Sequence, residues 1–160
     1  MAKKNDPLVI VPNFKIRLSG VTSTITALLP IQSKLISVRA TGPGLPKDLP
    51  CISLIKLIFL SRNISRVWHA RRNTEMLVGI LLKTLFRCNL KLMFTSASQR
   101  NHTSFTKCLI RQMDHVIATS LAGQSYLDVP STVIMHGIDT EYFSPCKNKE
   151  ILRDVLGLPN

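Results

Sequence analysis

The chain has 160 residues, 45% of them hydrophobic and 19% charged, with a formal net charge of +12. That length suits one compact domain with the start of a second, and the composition excludes a disordered, collagen-like or disulfide-scaffold protein. The longest apolar runs, 52–60 (broken by Lys56) and 76–82, fall well short of the ~20 residues of a membrane-spanning helix, and the run 8–11 is too short for a signal peptide.

Six short apolar runs read as strands, with helical stretches between them. The first strand is 8–11, stopped by Pro12. A helix follows over 21–34, apolar at 21, 25, 28 and 29, and Pro30 is expected to kink it. The second strand is 35–38, stopped by Thr41-Gly42-Pro43-Gly44. Segment 51–61 fits a helix or a strand, and its place in the order favours a crossover helix. The third strand is 66–68. Asn73 then caps a helix through Arg87, with Glu75 in its first turn near the positive end of the helix dipole. Apolar residues run nearly all round this helix, which predicts deep packing. The fourth strand is 90–94, followed by a helix over 103–113 with Phe105, Leu109, Ile110 and Met113 on one side. The fifth strand is 116–118, Ser120 caps a short helix through Leu127, and the sixth strand is 132–135. The Val, Ile and Leu content suits strands covered on both faces.

Strands alternating with helices indicate an α/β fold with a parallel sheet and right-handed crossovers. Ligands of such sheets bind beyond the carboxyl ends of the strands. That rule selects the loops 13–20, 41–47, 69–73, 95–102, 119–120 and 136–140.

Charge is uneven along the chain. Residues 1–113 hold 18 Lys and Arg against three acids, Asp6, Asp48 and Glu75, whereas residues 114–160 hold three against six. Nucleic acid, an anionic membrane surface and a phosphorylated small substrate all suit such a basic region. Cys51, Cys88, Cys108 and Cys146 have no metal-ligand spacing, so no metal site is expected and the thiols read as reduced or buried.

Four loops carry candidate chemistry. In the first, Lys15, Arg17, Ser19 and Gly20 precede a helix, where the bare glycine lets backbone N–H groups approach an anion. In the second, His69, Arg71, Arg72 and Asn73 open a helix. Its guanidiniums suit phosphate or carboxylate, and its imidazole suits a sugar hydroxyl or a proton shuttle. The third, 95–102, offers Ser96, Gln99 and Arg100 to a polyhydroxyl ligand. The fourth contains His136, Gly137 and Asp139 and reads as a turn at a domain edge. No catalytic triad is legible, and neither a dinucleotide nor a P-loop motif is present.

Residues 133–145 resemble the V-I-x-N-G-V-D-x-x-x-F-x-P segment of the retaining glycosyltransferases of family four, which have the GT-B fold. The tail 152–159 resembles the R-x-x-L-G-L-P that follows that segment. Val67-Trp68-His69-Ala70-Arg71-Arg72-Asn73 occupies the place of the family's V-x-H-x-H strand end. Segments 17–23, 42–46, 69–76 and 95–100 are similar to the N-terminal half of lipopolysaccharide-core mannosyltransferases. The resemblance implies a Rossmann-like acceptor-binding domain over 1–145 and an interdomain linker with the start of a second domain over 146–160. It also implies that the chain is a truncated or split form, because family members hold their nucleotide-sugar site in a second domain. The implied reaction is a retaining, metal-independent transfer of a hexose from a nucleotide sugar, GDP-mannose, with no other cofactor. Gly20 would then lie near the donor phosphates, and Lys15, Arg17, Arg71, Arg72 and Arg100 would hold a lipid-linked anionic saccharide acceptor. The implied setting is cytoplasmic, peripheral to an anionic inner-membrane surface, with a separate chain as one source of the second domain. Alone, the chain is expected to transfer little or no sugar.

Two other readings follow from the composition. A small basic nucleic-acid-binding protein needs a stacking platform or a recognition helix, and the nine aromatics are scattered. A non-functional remnant would fold with poor cooperativity.

Overall fold

The computed structural model describes residues 6–17, 19–141, 143–144 and 148–157. The order is β1 (Val9–Pro12), α1 (Gly20–Leu35), β2 (Val38–Thr41), α2 (Leu54–Ile58), β3 (Arg66–Ala70), α3 (Asn73–Thr84), β4 (Leu90–Ser96), α4 (Ser104–Ile110), β5 (His115–Ala118), α5 (Leu121–Gln124), β6 (Thr132–Val133) and α6 (Lys149–Val155). The strands form one six-stranded sheet in the order β2-β1-β3-β4-β5-β6. Every pairing is parallel. The expected α/β class, a Rossmann-like parallel sheet flanked by helices, is the observed one.

The chain reverses its direction across the sheet between β2 and β3. Right-handed crossovers therefore put α1 on one face and the later helices on the other. Two apolar clusters match these faces. On one, Ile25 and Leu29 of α1 pack with Val11, Val38 and Ala40. On the other, Leu57, Met76, Leu82, Leu109 and Ile110 pack with Ile10, Trp68, Ala70, Leu92, Phe94 and Val116. Trp68 is fully buried, and its indole N–H donates to the Glu75 carbonyl at 2.8 Å. Gly79 makes room for that ring, since a Cβ there would lie 2.5 Å from Trp68 Cδ1.

Of the two caps expected, Ser120 is observed and Asn73 is not. Ser19, Ser53, Thr103 and Ser120 each accept a backbone N–H at a helix start. Several expectations need correction. The second strand is Val38–Thr41, not 35–38, because α1 runs on to Leu35 before the Ile36 N–H closes on Gln32. Pro30 lies inside that helix without ending it. Helix α3 ends at Thr84, ahead of Arg87, whose φ of 50° is left-handed. Its cap residue is Arg72, while Asn73 is its first helical residue. It is not deeply packed all round. Its sheet and α4 sides are covered, while Leu77 and Leu81 are 41% and 44% exposed. Phe105 stays exposed, and Thr106 takes the buried position in α4. Cys51, Cys88 and Cys108 are free thiols, as expected, with Cys51 and Cys108 exposed.

The strands are not all covered on both faces. Along β3, β4 and the end of β5, fully buried positions alternate with half-buried or exposed ones. The covered side faces α2–α4. The other side carries Val67, His69, Met93, Thr95 and Ile117, none of them fully buried. The domain edge expected at Pro145 and Cys146, and the tail residues Leu158 and Pro159, lie outside the described residues. Among the described residues no helix is long and apolar enough to cross a membrane.

Candidate functional site

A parallel sheet delivers every strand's carboxyl end to one rim, so the six candidate loops start from the same edge. The strand order reverses between β1 and β3, and a crevice opens there. A cleft of about 500 Å³ is lined by Lys15, Ser19 and Gly20 from the first loop, Arg71 and Arg72 after β3, and His136 after β6. Val21 and Thr24 of α1, with Thr95 and Ala97 at the end of β4, complete its wall.

Behind Ser19 and Arg72 of this lining lies a buried polar network centred on Asn13, which is fully buried after β1. Its Nδ2 donates to the carbonyls of Lys15 at 2.9 Å and Pro43 at 3.1 Å. Its Oδ1 accepts from Thr22 Oγ1 at 3.0 Å and from Arg72 Nη1 at 2.9 Å. One side chain thus ties the first loop, the β2 loop, α1 and the β3 loop together. Gly42, at φ 126°, lies against it so closely that a Cβ would sit 1.9 Å from the Asn13 carbonyl oxygen.

Arg72 spends its guanidinium on this network. Nη1 also donates to Glu75 Oε1 at 2.9 Å, and Nη2 donates to Ser19 Oγ at 2.6 Å and Thr22 Oγ1 at 3.3 Å. Glu75 is fully buried, and its Oε2 accepts the backbone N–H groups of Arg71 at 2.7 Å and Arg72 at 3.1 Å. Burial pushes its carboxyl pKa up against the pull of these N–H groups and the guanidiniums. Arg72 and Glu75 therefore shape the rim from behind it.

Arg71 is placed differently. It lines the cleft, and its Nη1 is buried with no hydrogen-bond partner. Burial lowers its pKa, an effect opposed by Glu75 and reinforced by Arg72. A desolvated, unpaired guanidinium nitrogen is costly unless an anion meets it. Opposite, a Cβ added at Gly20 would meet nothing within 4 Å, so the start of α1 is bare toward open space.

His69 and Thr95 share the sheet surface below the cleft, with Nε2 and Oγ1 2.7 Å apart. Burial, aided by the Arg71 charge, brings the His69 pKa down to about 3, so the ring is neutral at physiological pH.

The cleft brings together Lys15, Ser19, Gly20, Arg71, Arg72 and His136 of the residues selected from sequence. The others stand elsewhere. Arg17 and Arg100 are exposed on their loops. Asn73 Nδ2 donates to Thr106 Oγ1 at 2.8 Å, joining α3 to α4. Ser96 is buried, with its Oγ 3.3 Å from His102 Nε2, and Gln99 Nε2 donates to Ser120 Oγ at 3.2 Å. Gly137 and Asp139 are exposed, and Asp139 Oδ1 accepts the Glu141 N–H. Sequence reasoning missed Asn13 as the hub, Glu75 as its buried counter-charge, and Val21, Thr24 and Ala97 as wall residues. A polar residue straight after a strand-stopping proline was the one usable signal for Asn13. Among the described residues, no three His, Cys, Asp or Glu side chains cluster as a metal site would need.

No protein-family model matches the chain, and no solved structure matches it. Two curated proteins do. The chain is 54% identical over 163 aligned positions to the lipopolysaccharide core biosynthesis mannosyltransferase LpsB of Rhizobium meliloti (strain 1021), covering 99% of this chain and 46% of that protein. It is 55% identical over 159 positions to the lipopolysaccharide core biosynthesis mannosyltransferase LpcC of Rhizobium leguminosarum bv. viciae, covering 96% of this chain and 45% of that protein. The chain therefore spans about half the length of the curated relatives it matches, and over that half it is similar to lipopolysaccharide core mannosyltransferases.

Proposed function

We propose that this chain forms the acceptor-binding half of a mannosyltransferase of lipopolysaccharide core assembly. The observation that carries the reading is Arg71, a cleft-lining guanidinium with an unpartnered buried nitrogen at the reversal point of a parallel sheet. The names of two relatives more than half identical in sequence support it. In this reading Lys15 and Arg71 hold the anionic groups of a lipid-linked saccharide, with Arg17 and Arg100 extending the basic rim. Arg72 positions Ser19 and the first loop. Gly20 leaves space for the phosphates of a nucleotide sugar, GDP-mannose, at the start of α1. The transfer is taken as retaining and metal-independent, in a cleft closed by a second domain that a separate chain could supply. The basic surface is taken to rest on an anionic membrane, at about 1 kcal/mol for each Lys or Arg near the lipid.

Calorimetric binding of a phosphorylated, deacylated core saccharide to the chain tests this. Arg71→Gln is expected to weaken binding at least tenfold with little change in Tm, because the Arg71 Nη1 it removes is buried without a hydrogen-bond partner. Binding indifferent to Arg71→Gln would overturn the reading. Submicromolar, steeply salt-dependent binding of a single-stranded oligonucleotide would favour nucleic acid instead.

A further inference from the structure

Strands β3 and β4 run in register from Arg66 beside Leu90 to Ala70 beside Phe94. One step beyond that last pair, Arg71 stands across from Thr95. Ala70 and Phe94 are buried under α2–α4, so alternation along the strands puts Thr95 and its bonded partner His69 on the other side of the sheet. Neighbouring strands lie about 5 Å apart, and Arg71 and Thr95 line the cleft side by side. The lining stops short of His69, which meets the cleft only through its 2.7 Å bond to Thr95 Oγ1. That bond sets what Thr95 can offer. Burial and the Arg71 charge keep the ring neutral, so one ring nitrogen carries the only proton. If Thr95 donates to a bare Nε2, its oxygen turns a lone pair toward the cleft. If Nε2–H donates to Thr95, the hydroxyl proton is free to point into the cleft. Arg71 Nη1 beside it is buried and without a partner, a donor awaiting an acceptor. An anionic oxygen there is repelled by the first arrangement and bound by the second.

We propose that Thr95 Oγ1 donates a hydrogen bond to the anionic group that Arg71 Nη1 holds, with His69 as its positioning residue, donating from Nε2–H to Thr95. The group is a carboxylate or phosphate monoester of the acceptor saccharide, and the inference rests on the acceptor-binding reading. His69 takes no proton from the reacting sugar in this arrangement. It fixes the polarity of a hydroxyl that otherwise rotates freely. Two adjacent donors, one charged and one neutral, favour an anionic oxygen over a sugar hydroxyl, because hydrogen bonds to an ionised acceptor are roughly twice as strong. Ala97, the other β4-loop residue in the lining, brings no polar side-chain atom to compete for Thr95.

The test titrates the full chain with the phosphorylated, deacylated core saccharide by calorimetry, and with inorganic phosphate and acetate by NMR. Thr95→Val is expected to weaken saccharide binding about tenfold, the loss of one hydrogen bond to a charged group, and Thr95→Ser should restore most of it. His69→Leu should match Thr95→Val, and His69→Gln, whose amide donates in place of Nε2–H, should rescue it. The double variant Thr95→Val with His69→Leu should bind no worse than Thr95→Val alone, because His69 acts only through Thr95. A histidine that merely supports the fold would add its own loss instead. Nitrogen-15 spectra of labelled histidine should show His69 as the Nε2–H tautomer in the saturated complex. An Nδ1–H tautomer, additive losses, or anion binding indifferent to Thr95→Val would overturn the proposal. Whichever of phosphate and acetate binds tighter names the group, and binding of neither also overturns it. Saccharide binding that needs Arg71 but ignores Thr95 sinks this inference and spares the acceptor reading. Inorganic anion binding that needs Thr95, with no saccharide bound, does the reverse.

Discussion

Asn13 Oδ1 accepts a hydrogen bond from Arg72 Nη1 at 2.9 Å, joining the carboxyl ends of β1 and β3 across the point where the strand order reverses. The two residues are 59 positions apart, and the bond sets the width of the crevice between their loops. Ser19, Thr22 and Glu75 are all hydrogen-bonded to this pair.

Replacing Asn13 with Ala removes two donated and two accepted bonds and leaves the carbonyls of Lys15 and Pro43 short of a donor. The expected loss is about 2–4 kcal/mol, since an unsatisfied buried polar group costs about 1–3 kcal/mol. Chemical denaturation measures it. Asn13→Asp keeps the acceptor for Arg72 but cannot donate, so it should fall between wild type and Asn13→Ala.

Gly20 offers a cleaner separation of fold from ligand. A Cβ there meets no protein atom, and the residue is helical. Gly20→Ala should leave stability unchanged or raise it by up to about 1 kcal/mol. Binding of GDP-mannose should fall severalfold, and more for Gly20→Val. Unchanged affinity for GDP-mannose would remove the glycine from the site.

Gly79 predicts the opposite pattern. A Cβ at 2.5 Å from Trp68 Cδ1 and 2.6 Å from Nε1 forces the indole to move, and that ring is anchored by its bond to the Glu75 carbonyl. Gly79→Ala should cost about 1–3 kcal/mol through overpacking, despite the better helix propensity of alanine. The loss should appear as a lower Tm with the saccharide affinity of the folded fraction unchanged.

His69 gives a pH dependence with a definite sign. Its pKa falls from 6.5 to about 3 on folding, so between those values the unfolded chain binds a proton that the folded one does not. Its contribution to stability is complete above pH 6.5 and is lost progressively as pH drops toward 3. Tm should decline from pH 7 to pH 4, and His69→Gln, which keeps a partner for Thr95, should flatten that decline. A slope unaltered by His69→Gln would show that the ring is already solvated.

The sequence by itself determined the alternation of strands and helices, because short apolar runs and Ser or Thr caps are local signals that act within a few residues. It also determined that the polar loops gather at one rim, because parallel pairing sends every carboxyl end the same way. Residues such as Lys15, Gly20 and Arg71 were legible for that reason. Only the tertiary structure decided which polar groups meet. Arg72 turned inward to Asn13 and Glu75, Asn73 crossed to Thr106, and Thr95 paired with His69, each set by strand register and helix packing that no local period encodes. The half-covered face of β3–β5 was equally hidden, since a run such as Leu90–Phe94 is apolar enough for burial on both sides. Coverage depends on which way each crossover turns, and that is fixed only when the chain reverses between β2 and β3.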